Sequence, residues 1–444
     1  MDAREVALLT LNACERQGGW SDGVLKKQIA AAGLDSRDAG LATQLCFGVI
    51  QNRILLDFYL SKFSNIPLRR LEGKVLQALR LGLYQMLFLT RIPHSAAVDQ
   101  SVALTRAHCK NPRAPGMVNA ILRNLERSLD RLPTIPEDDP AEYYATLYSH
   151  PVWLVRELLE TLGSEGTAAF LQADNSQPPI TAMVNTVKTD LEGALEALQA
   201  EGVHGEPHPW LKNCLVLSRS GSLEELEVFQ NGLFYVQDPA SRLAVLALDP
   251  EPGDRVLDMC AAPGGKSFAA AIQMRDQGEI WSCDLHPHKK TLIQKGAQRL
   301  DLTCIRPQTA DGKVRRPEWE GAFDRVLVDA PCSGLGVIRK KPDIRFKDPE
   351  PLAGLPQVQS AILDNAAGYV KPGGVLVYST CTILERENRA VTDAFLAAHP
   401  EFRRERFLLP GPAGEVSGGQ ITLWPQVHGT DGFYICKLRK DGEA

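Results

Sequence analysis

The chain has 444 residues, of which 44% are hydrophobic and 23% charged; this suits a globular protein of two to four domains and excludes a disordered or low-complexity chain. No apolar stretch approaches membrane-spanning length, and "MDAREVALLTLNACERQGGW" reads as an amphipathic helix rather than a signal peptide, so a cytoplasmic protein is expected. The net charge of −5 is unevenly spread: residues 1–130 carry 17 Lys/Arg against 11 Asp/Glu, residues 131–230 carry 5 against 16, and the remainder carries 27 of each.

In chain order, residues 1–130 repeat apolar side chains at helical spacing, as in "LATQLCFGVIQNRILLDFYLSKF" and "VLQALRLGLYQMLFL", with breaks at Gly33, Pro67, Pro93 and Pro115. This predicts an all-α domain of five to seven helices. Its basic excess fits a polyanionic partner, although a solvated helical surface explains the same charges. Residues 131–147 are rich in Pro and acid and read as a linker. Residues 148–245 mix helical runs ("VWLVRELLETLG", "DLEGALEALQAEG") with strand candidates ("ITAMVNT", "CLVLSRS"), giving a small α+β module. From 246 to 444 strands and helices alternate, from "DRVLDMC" and "SFAAAIQM" to "GGVLVYSTC" and "ENRAVTDAFLAAH", which predicts a mostly parallel sheet covered by helices. "DGFYICKLRK" has no helix after it and closes the sheet as an antiparallel strand.

The loop "VLDMCAAPGGKS" resembles a phosphate-binding loop, but Cys260 stands where its first Gly is required and Pro263 removes a backbone donor. An ATPase is therefore the weaker reading, kept alive by the strand-then-Asp form of "RVLVDAP". In a doubly wound sheet, ligands bind beyond the carboxyl ends of the strands. That rule gathers Cys260, Ala261, Ala262, Pro263, Gly264, Gly265 and Lys266 with Asp284, Asp311, Asp329, Cys332 and Cys381. Asp284 follows the second strand, where an acid accepts hydrogen bonds from ribose hydroxyls; capping the next helix is its other reading. Asp311 is placed to meet an adenine edge or simply to form a turn before Gly312. Together with a loop of small residues, these acids fit S-adenosylmethionine better than a triphosphate.

The ten cysteines include no C-x-x-C pair, which argues against a zinc site and a disulfide framework. Lone cysteines are mostly small buried hydrophobes. Cys332 and Cys381 differ in ending strongly apolar strands at the ligand edge, in "APCSG" and "STCT". Methylating C5 of cytosine requires a thiolate to add first at C6, because C5 is a poor nucleophile until an enamine forms.

"DMCAAPGGKS", "VDAPCSGLGVIRKKPDIRF" and "VYSTCT" resemble the RNA cytosine-5 methyltransferases, over a span from "YVQDPAS" to "DGFYICKL". "RIPHSAAVDQSVALTR" and "GMVNAILRNL" are similar to the NusB-like RNA-binding domain. That pairing resembles the Sun/Fmu type, which acts on cytosine 967 of 16S ribosomal RNA. The resemblance implies a Rossmann-like sheet of seven strands, S-adenosylmethionine bound by residues 260–266, Asp284, Asp311 and Asp329, and RNA as substrate of a monomer that needs neither metal nor membrane. It further implies that Cys381 is the nucleophile and that Cys332 assists breakdown of the covalent adduct, with Asp329 and Lys266 able to reach the base. Cys283 departs from the apolar residue or Ala expected before Asp284, and should point away from the cofactor.

Arg339, Lys340, Lys341, Arg345 and Lys347 place five cations just after the Pro-Cys turn, where an RNA phosphate would pass; a solvated basic loop is the alternative. A transfer RNA target, or an inactive assembly or antitermination factor, are the other readings considered. A DNA-type enzyme would need a large target-reading insertion, and an adenine-N6 enzyme would want an aromatic residue where Cys332 stands.

Overall fold

The computed structural model describes residues 1–442 apart from 18–20 and 219–220. Gly18, Gly19 and Trp20 at the end of the first predicted helix, and Arg219 and Ser220 at the end of "CLVLSRS", lie outside the described residues. The chain divides into two compact units: Met1–Ser176 together with Ile338–Lys347, and Gln177–Val337 together with Asp348–Ala444.

The first unit is helical. Up to residue 130 it has seven described α-helices, the longest being Ser36–Gln51 and Gly73–Phe88. Gly73–Phe88 has twelve buried residues, nine of them apolar or Gly and three polar (Gln77, Arg80 and Gln85), so it is the central helix of this unit. Pro93 and Pro115 act where proline is tolerated, at a helix start, rather than as interior breaks. The stretch read as a linker holds a helix, Pro140–Leu147, whose N-cap Asp139 accepts from Ala141 N. A kinked helical segment, Val152–Asp174, follows, bent where Gly163 has φ +67°.

Ile338–Lys347 is clipped into this helical unit by Arg345. Its side chain is wholly buried and donates to Gln51 O (2.6 Å), Ser149 O (2.8 Å) and Asn175 Oδ1 (3.1 Å). Burial pulls its pKa down to about 10, with Asp174 and Asp343 partly offsetting this. Arg345 was expected at the RNA surface; it is instead a structural cation, since every described partner of its guanidinium is a protein oxygen.

The second unit begins with an antiparallel sheet of Ile180–Val184 (β1), His204–Pro207 (β2), Cys214–Ser218 (β3) and Phe234–Val236 (β4), in the order β2-β3-β1-β4. Helix Leu191–Ala200 packs its Ala194 and Leu198 against this sheet in a core with Ala182, Leu215 and Phe234.

The larger sheet has Arg255–Asp258 (β5), Glu279–Asp284 (β6), Ile305–Thr309 (β7), Phe323–Asp329 (β8), Val370–Thr380 (β9) and Phe402–Arg404 (β10). Phe407–Leu408 (β11) and Glu415–Val416 (β12) form a separate ribbon, before Gln420–Leu423 (β13) and Phe433–Lys440 (β14) rejoin the sheet. The spatial order is β10-β14-β9-β8-β5-β6-β7, with β13 also paired to β14. Strands β5 to β9 are parallel and β14 is antiparallel to β9, as expected. The sheet has eight strands, one more than the resemblance implies: β5 to β9 and β14 make six, and β10 and β13 extend it on the β14 side. Successive strand residues alternate between two cores: Val256, Leu327 and Val377 face helices carrying Ala269 and Ile293, while Leu257, Val328 and Tyr378 face Ile362 and Val391.

Candidate active site

Strand order reverses at β5. From there the chain runs through β6 and β7 to one side and through β8 and β9 to the other, so β5 and β8 flank the switch point where such sheets bind ligands. The loop 260–266 leaves β5 there. Ala261 N donates to Cys283 O (2.7 Å) and Gly264 N to Ala261 O (2.7 Å), which turns the chain into helix Gly265–Gln273. Gly264 caps that helix at φ +113°, and a Cβ there would lie 2.4 Å from Phe268, so only glycine is accommodated. Cys260 is an unsuitable nucleophile because burial and then Asp258, Asp329 and Asp284 push its thiol well up. Cys283 is buried in the apolar core, away from the crevice.

Asp284 ends β6 with Oδ1 accepting from His286 N (3.1 Å), at the start of the next helix, and Oδ2 3.5 Å from Lys289 Nζ. Asp284 therefore closes a turn ahead of the helix rather than capping it, since His286 is the N-cap and carries no side-chain cap; its second oxygen has only this long contact and is available to a diol. Asp311 forms a turn, accepting from Lys313 N (2.9 Å). These acids, beyond β6 and β7 with the glycine-bent loop beside them beyond β5, suit an adenosyl group.

Lys266 and Asp329 form an ion pair at 2.7 Å, and Asp329 Oδ1 accepts from Ser379 Oγ at 2.8 Å. The latter bond follows from register, since Asp329 and Ser379 lie side by side on β8 and β9. Burial opposes the charge on Lys266, but Asp329 outweighs it and holds the ammonium above its usual pKa.

Cys332 and Cys381 are free thiols whose sulfurs lie 3.3 Å apart, although 49 residues separate them in sequence. Their turns are locked together: Gly336 N donates to Cys381 O (2.9 Å), Gly432 N to Gly336 O (2.8 Å), and Ser333 Oγ pairs with Thr382 Oγ1 (2.7 Å). A Cβ on Gly336 would fall 1.8 Å from Gly432 O, so this approach needs glycine. The hydrogen bond between the two sulfurs lowers the pKa of Cys381 despite burial and the opposing charge of Asp329, with the charge of Lys266 assisting. The same bond, then burial, raises Cys332 well above an ordinary thiol. The directions of these two shifts favour Cys381 as the thiolate and Cys332 as the thiol.

Several residues of this architecture escaped the sequence reading. Glu387, fully buried, accepts from Ser333 N (2.9 Å) and Gln359 Nε2 (2.9 Å), while Gln359 also donates to Pro331 O (3.0 Å), fixing the Pro-Cys turn. Asn388 holds the Thr-Cys turn through Thr382 O (3.0 Å). Asp258 lies buried beneath the loop and accepts from Ser267 Oγ (2.7 Å), which in turn accepts from Ser282 Oγ (2.7 Å). Its Oδ1 is buried without a hydrogen-bond partner among the described residues, and burial raises its pKa to about 7. Since the folded state then holds this proton more tightly than the unfolded one, the group's stabilising contribution is full below the usual Asp pKa and declines as pH rises through about 7. Asp258→Asn should therefore gain stability relative to the parent as pH rises from about 4 to 7 and change little above that, measured by denaturant unfolding at several pH values.

Of the five cations after the Pro-Cys turn, Lys341 is exposed and Arg339, Lys340 and Lys347 are half-buried, so Arg345 alone is withdrawn entirely. Among the described residues no cluster of His, Cys, Asp or Glu could hold a metal ion, and no helix is long and apolar enough to cross a membrane.

A switch-point crevice in a doubly wound sheet is where such folds bind nucleotide-like ligands, and the family matches place this one in the class of S-adenosylmethionine-dependent methyltransferases. Family models agree in three parts: the NusB family over residues 1–127, an RsmF/B-like ferredoxin-like domain over 150–224, and the 16S rRNA methyltransferase RsmB/F family over 245–439. A probable ribosomal RNA small subunit methyltransferase B of Bacillus subtilis (strain 168) is 40% identical over 99% of both chains. Ribosomal RNA small subunit methyltransferase B of Klebsiella pneumoniae subsp. pneumoniae is 34% identical over 92% of this chain and 91% of its own. The crystal structure of PH0851 matches 99% of both chains at 25% identity with a TM-score of 0.81. The chain belongs to the ribosomal RNA small subunit methyltransferase B family.

Proposed function

We propose that the protein methylates C5 of a cytosine in 16S ribosomal RNA, position 967, through a covalent adduct between Cys381 and C6. The single observation that carries this reading is the pair of free thiols, 3.3 Å apart beyond the ends of β8 and β9. S-adenosylmethionine supplies the methyl group when bound, with the loop 260–266, Asp284, Asp311 and Asp329 as its holders.

The chain's own groups divide the work. Cys381 adds to C6 as a thiolate, and the displaced π electrons make C5 the nucleophile that takes the methyl group. Lys266 favours the thiolate and Asp329 holds Lys266 in place; from that position Asp329 and Lys266 also reach the base. Once its sulfur is bonded to C6, Cys381 carries no negative charge. The first cause of Cys332's raised pKa is then gone, so Cys332 becomes easier to ionise at the stage when the C5 proton must leave. Loss of that proton to the Cys332 thiolate regenerates the double bond and expels Cys381. The helical unit, with its basic excess, and Arg339, Lys340, Lys341 and Lys347 engage phosphates. The target base leaves its stack to reach the thiols, so unpaired cytosines react faster than paired ones. The enzyme acts as a monomer in the cytoplasm.

Bisulfite sequencing of total RNA from a deletion strain tests this directly. The expected result is loss of one 5-methylcytosine, at position 967 of 16S ribosomal RNA, with other sites unchanged. Loss at a transfer RNA cytosine would move the substrate, and no loss at all would favour a non-catalytic assembly factor.

A further inference from the structure

The helical unit contains a cavity of about 370 Å³, within the size range of small-ligand sites, that methyl transfer does not use. Arg53, Gln77, Phe346 and Lys347 are among its lining residues. Gln77, on the central helix, is 2% exposed; its Nε2 donates to Glu15 Oε2, but its Oε1 is buried with no partner among the described residues. An unpaired buried amide oxygen is destabilising, and in a site lined this way it wants an N–H donor.

Arg53 presents the complementary lack. Its guanidinium lies over the Phe346 ring, 3.4 Å from the centroid, and no hydrogen bond or ion pair satisfies it among the described residues. Burial and the neighbouring Arg80 both lower its pKa, with Glu15, Asp57 and Asp343 partly offsetting them. Those acids are already engaged: Arg80 binds Asp57 (2.7 Å) and Glu15 (3.1 Å), and Asp343 accepts from Ser21 N (3.2 Å) and Ser21 Oγ. The lining therefore offers a cation seeking an anion, a stacked planar surface, and an acceptor seeking a donor.

We propose that this cavity takes one nucleotide of the RNA substrate other than the target cytosine, with its phosphate on Arg53 and Lys347 and an amino or imino N–H of its base on Gln77 Oε1. A nucleotide meets all three requirements, and stacking on a guanidinium or aromatic plane is a common way to hold an unpaired base. Inorganic phosphate would meet only the first. The inference rests on the reading of RNA as substrate, but not on the thiol chemistry.

The test uses the full chain saturated with S-adenosylhomocysteine, so that the methyl-transfer crevice is filled. Calorimetry with each 5′-mononucleotide and with inorganic phosphate should find at least one mononucleotide bound more tightly than phosphate, and displaced by a 16S-derived RNA fragment. Gln77→Leu and Arg53→Met should each weaken that binding roughly tenfold and raise KM for RNA by a similar factor, with kcat and S-adenosylhomocysteine affinity unchanged. If Arg53→Met does not fold, Gln77→Leu alone decides. Mononucleotides binding no better than phosphate, or an unchanged KM in Gln77→Leu, would overturn the proposal. Binding that RNA does not displace would also overturn it, in favour of a free nucleotide. The calorimetric arms, unlike the KM arm, involve no methyl transfer, so they stand apart from any failure of the C5 chemistry.

Discussion

Cys381→Ser should lose methyl transfer by at least about 10³-fold, because a hydroxyl at this position is scarcely ionised at neutral pH and the adduct at C6 cannot form. The effect follows from what the site does to this one sulfur. The hydrogen bond with Cys332, helped by the charge of Lys266, outweighs burial and the opposing charges of Asp329 and Asp431 and keeps Cys381 below the usual thiol pKa. A serine hydroxyl, several units less acidic than a thiol to begin with, is not brought into range by the same two contacts. Cofactor affinity should be unchanged, since the loop 260–266 and Asp284 do not depend on the thiol. Tritium transfer from S-adenosylmethionine to RNA, beside calorimetry with S-adenosylhomocysteine, checks both halves.

Lys266→Met should lower kcat/KM about 10²-fold at neutral pH, through loss of a positioned charge at the reacting centre. The sign of its pH dependence is specific. Removing a cation beside Cys381 raises the thiolate pKa, so the variant's rate should climb with pH beyond the point where the parent levels off, and the deficit should shrink in alkali. Asp329 keeps Ser379 as a partner but loses its counter-ion. The pair is only partly exposed, at 11% and 26%, so the stability cost lies between that of surface and buried pairs, about 1–3 kcal/mol. A pH-rate profile parallel to the parent's would assign Lys266 to cofactor binding alone.

Much of this site was legible from the sequence because a parallel sheet delivers strand ends to one edge. "VLDMC", "RVLVDAP" and "VLVYSTC" are apolar runs that stop at a Cys or Asp, and β5, β8 and β9 do carry those residues to neighbouring positions. What the pattern cannot give is the clamp around them. Gln359 and Glu387 come from helical segments far along the chain from Pro331 and Ser333, and nothing local marks either as a ligand of the Pro-Cys turn. Asp258 was hidden in plain view as an ordinary strand residue, since only the fold reveals that its side chain is buried beneath the loop.

Charge counting misled at Arg345. Five cations in nine residues suggest a basic surface, but a guanidinium can be drawn inside wherever backbone carbonyls at helix ends need donors, as Gln51 O and Ser149 O do here. Only tertiary contacts distinguish the two. The helix Pro140–Leu147 was, by contrast, readable: "DDP" offers an N-cap Asp followed by Pro at the first helical position, a signal outweighed by the stretch's Pro and acid content. The additional strands β10 and β13 have three and four residues, too short for alternation to register.

Cys381 and Cys332 act at different steps of one reaction, and covalent trapping separates them. Purified Cys332→Ser and Cys381→Ser proteins would be incubated with S-adenosylmethionine and 16S ribosomal RNA, then run on denaturing gels. Cys332→Ser should accumulate a protein–RNA adduct that survives denaturation, because attack and methylation proceed while release is slowed, and Cys381→Ser should form none. An adduct in Cys381→Ser, with none in Cys332→Ser, would reverse the two roles and make Cys332 the nucleophile.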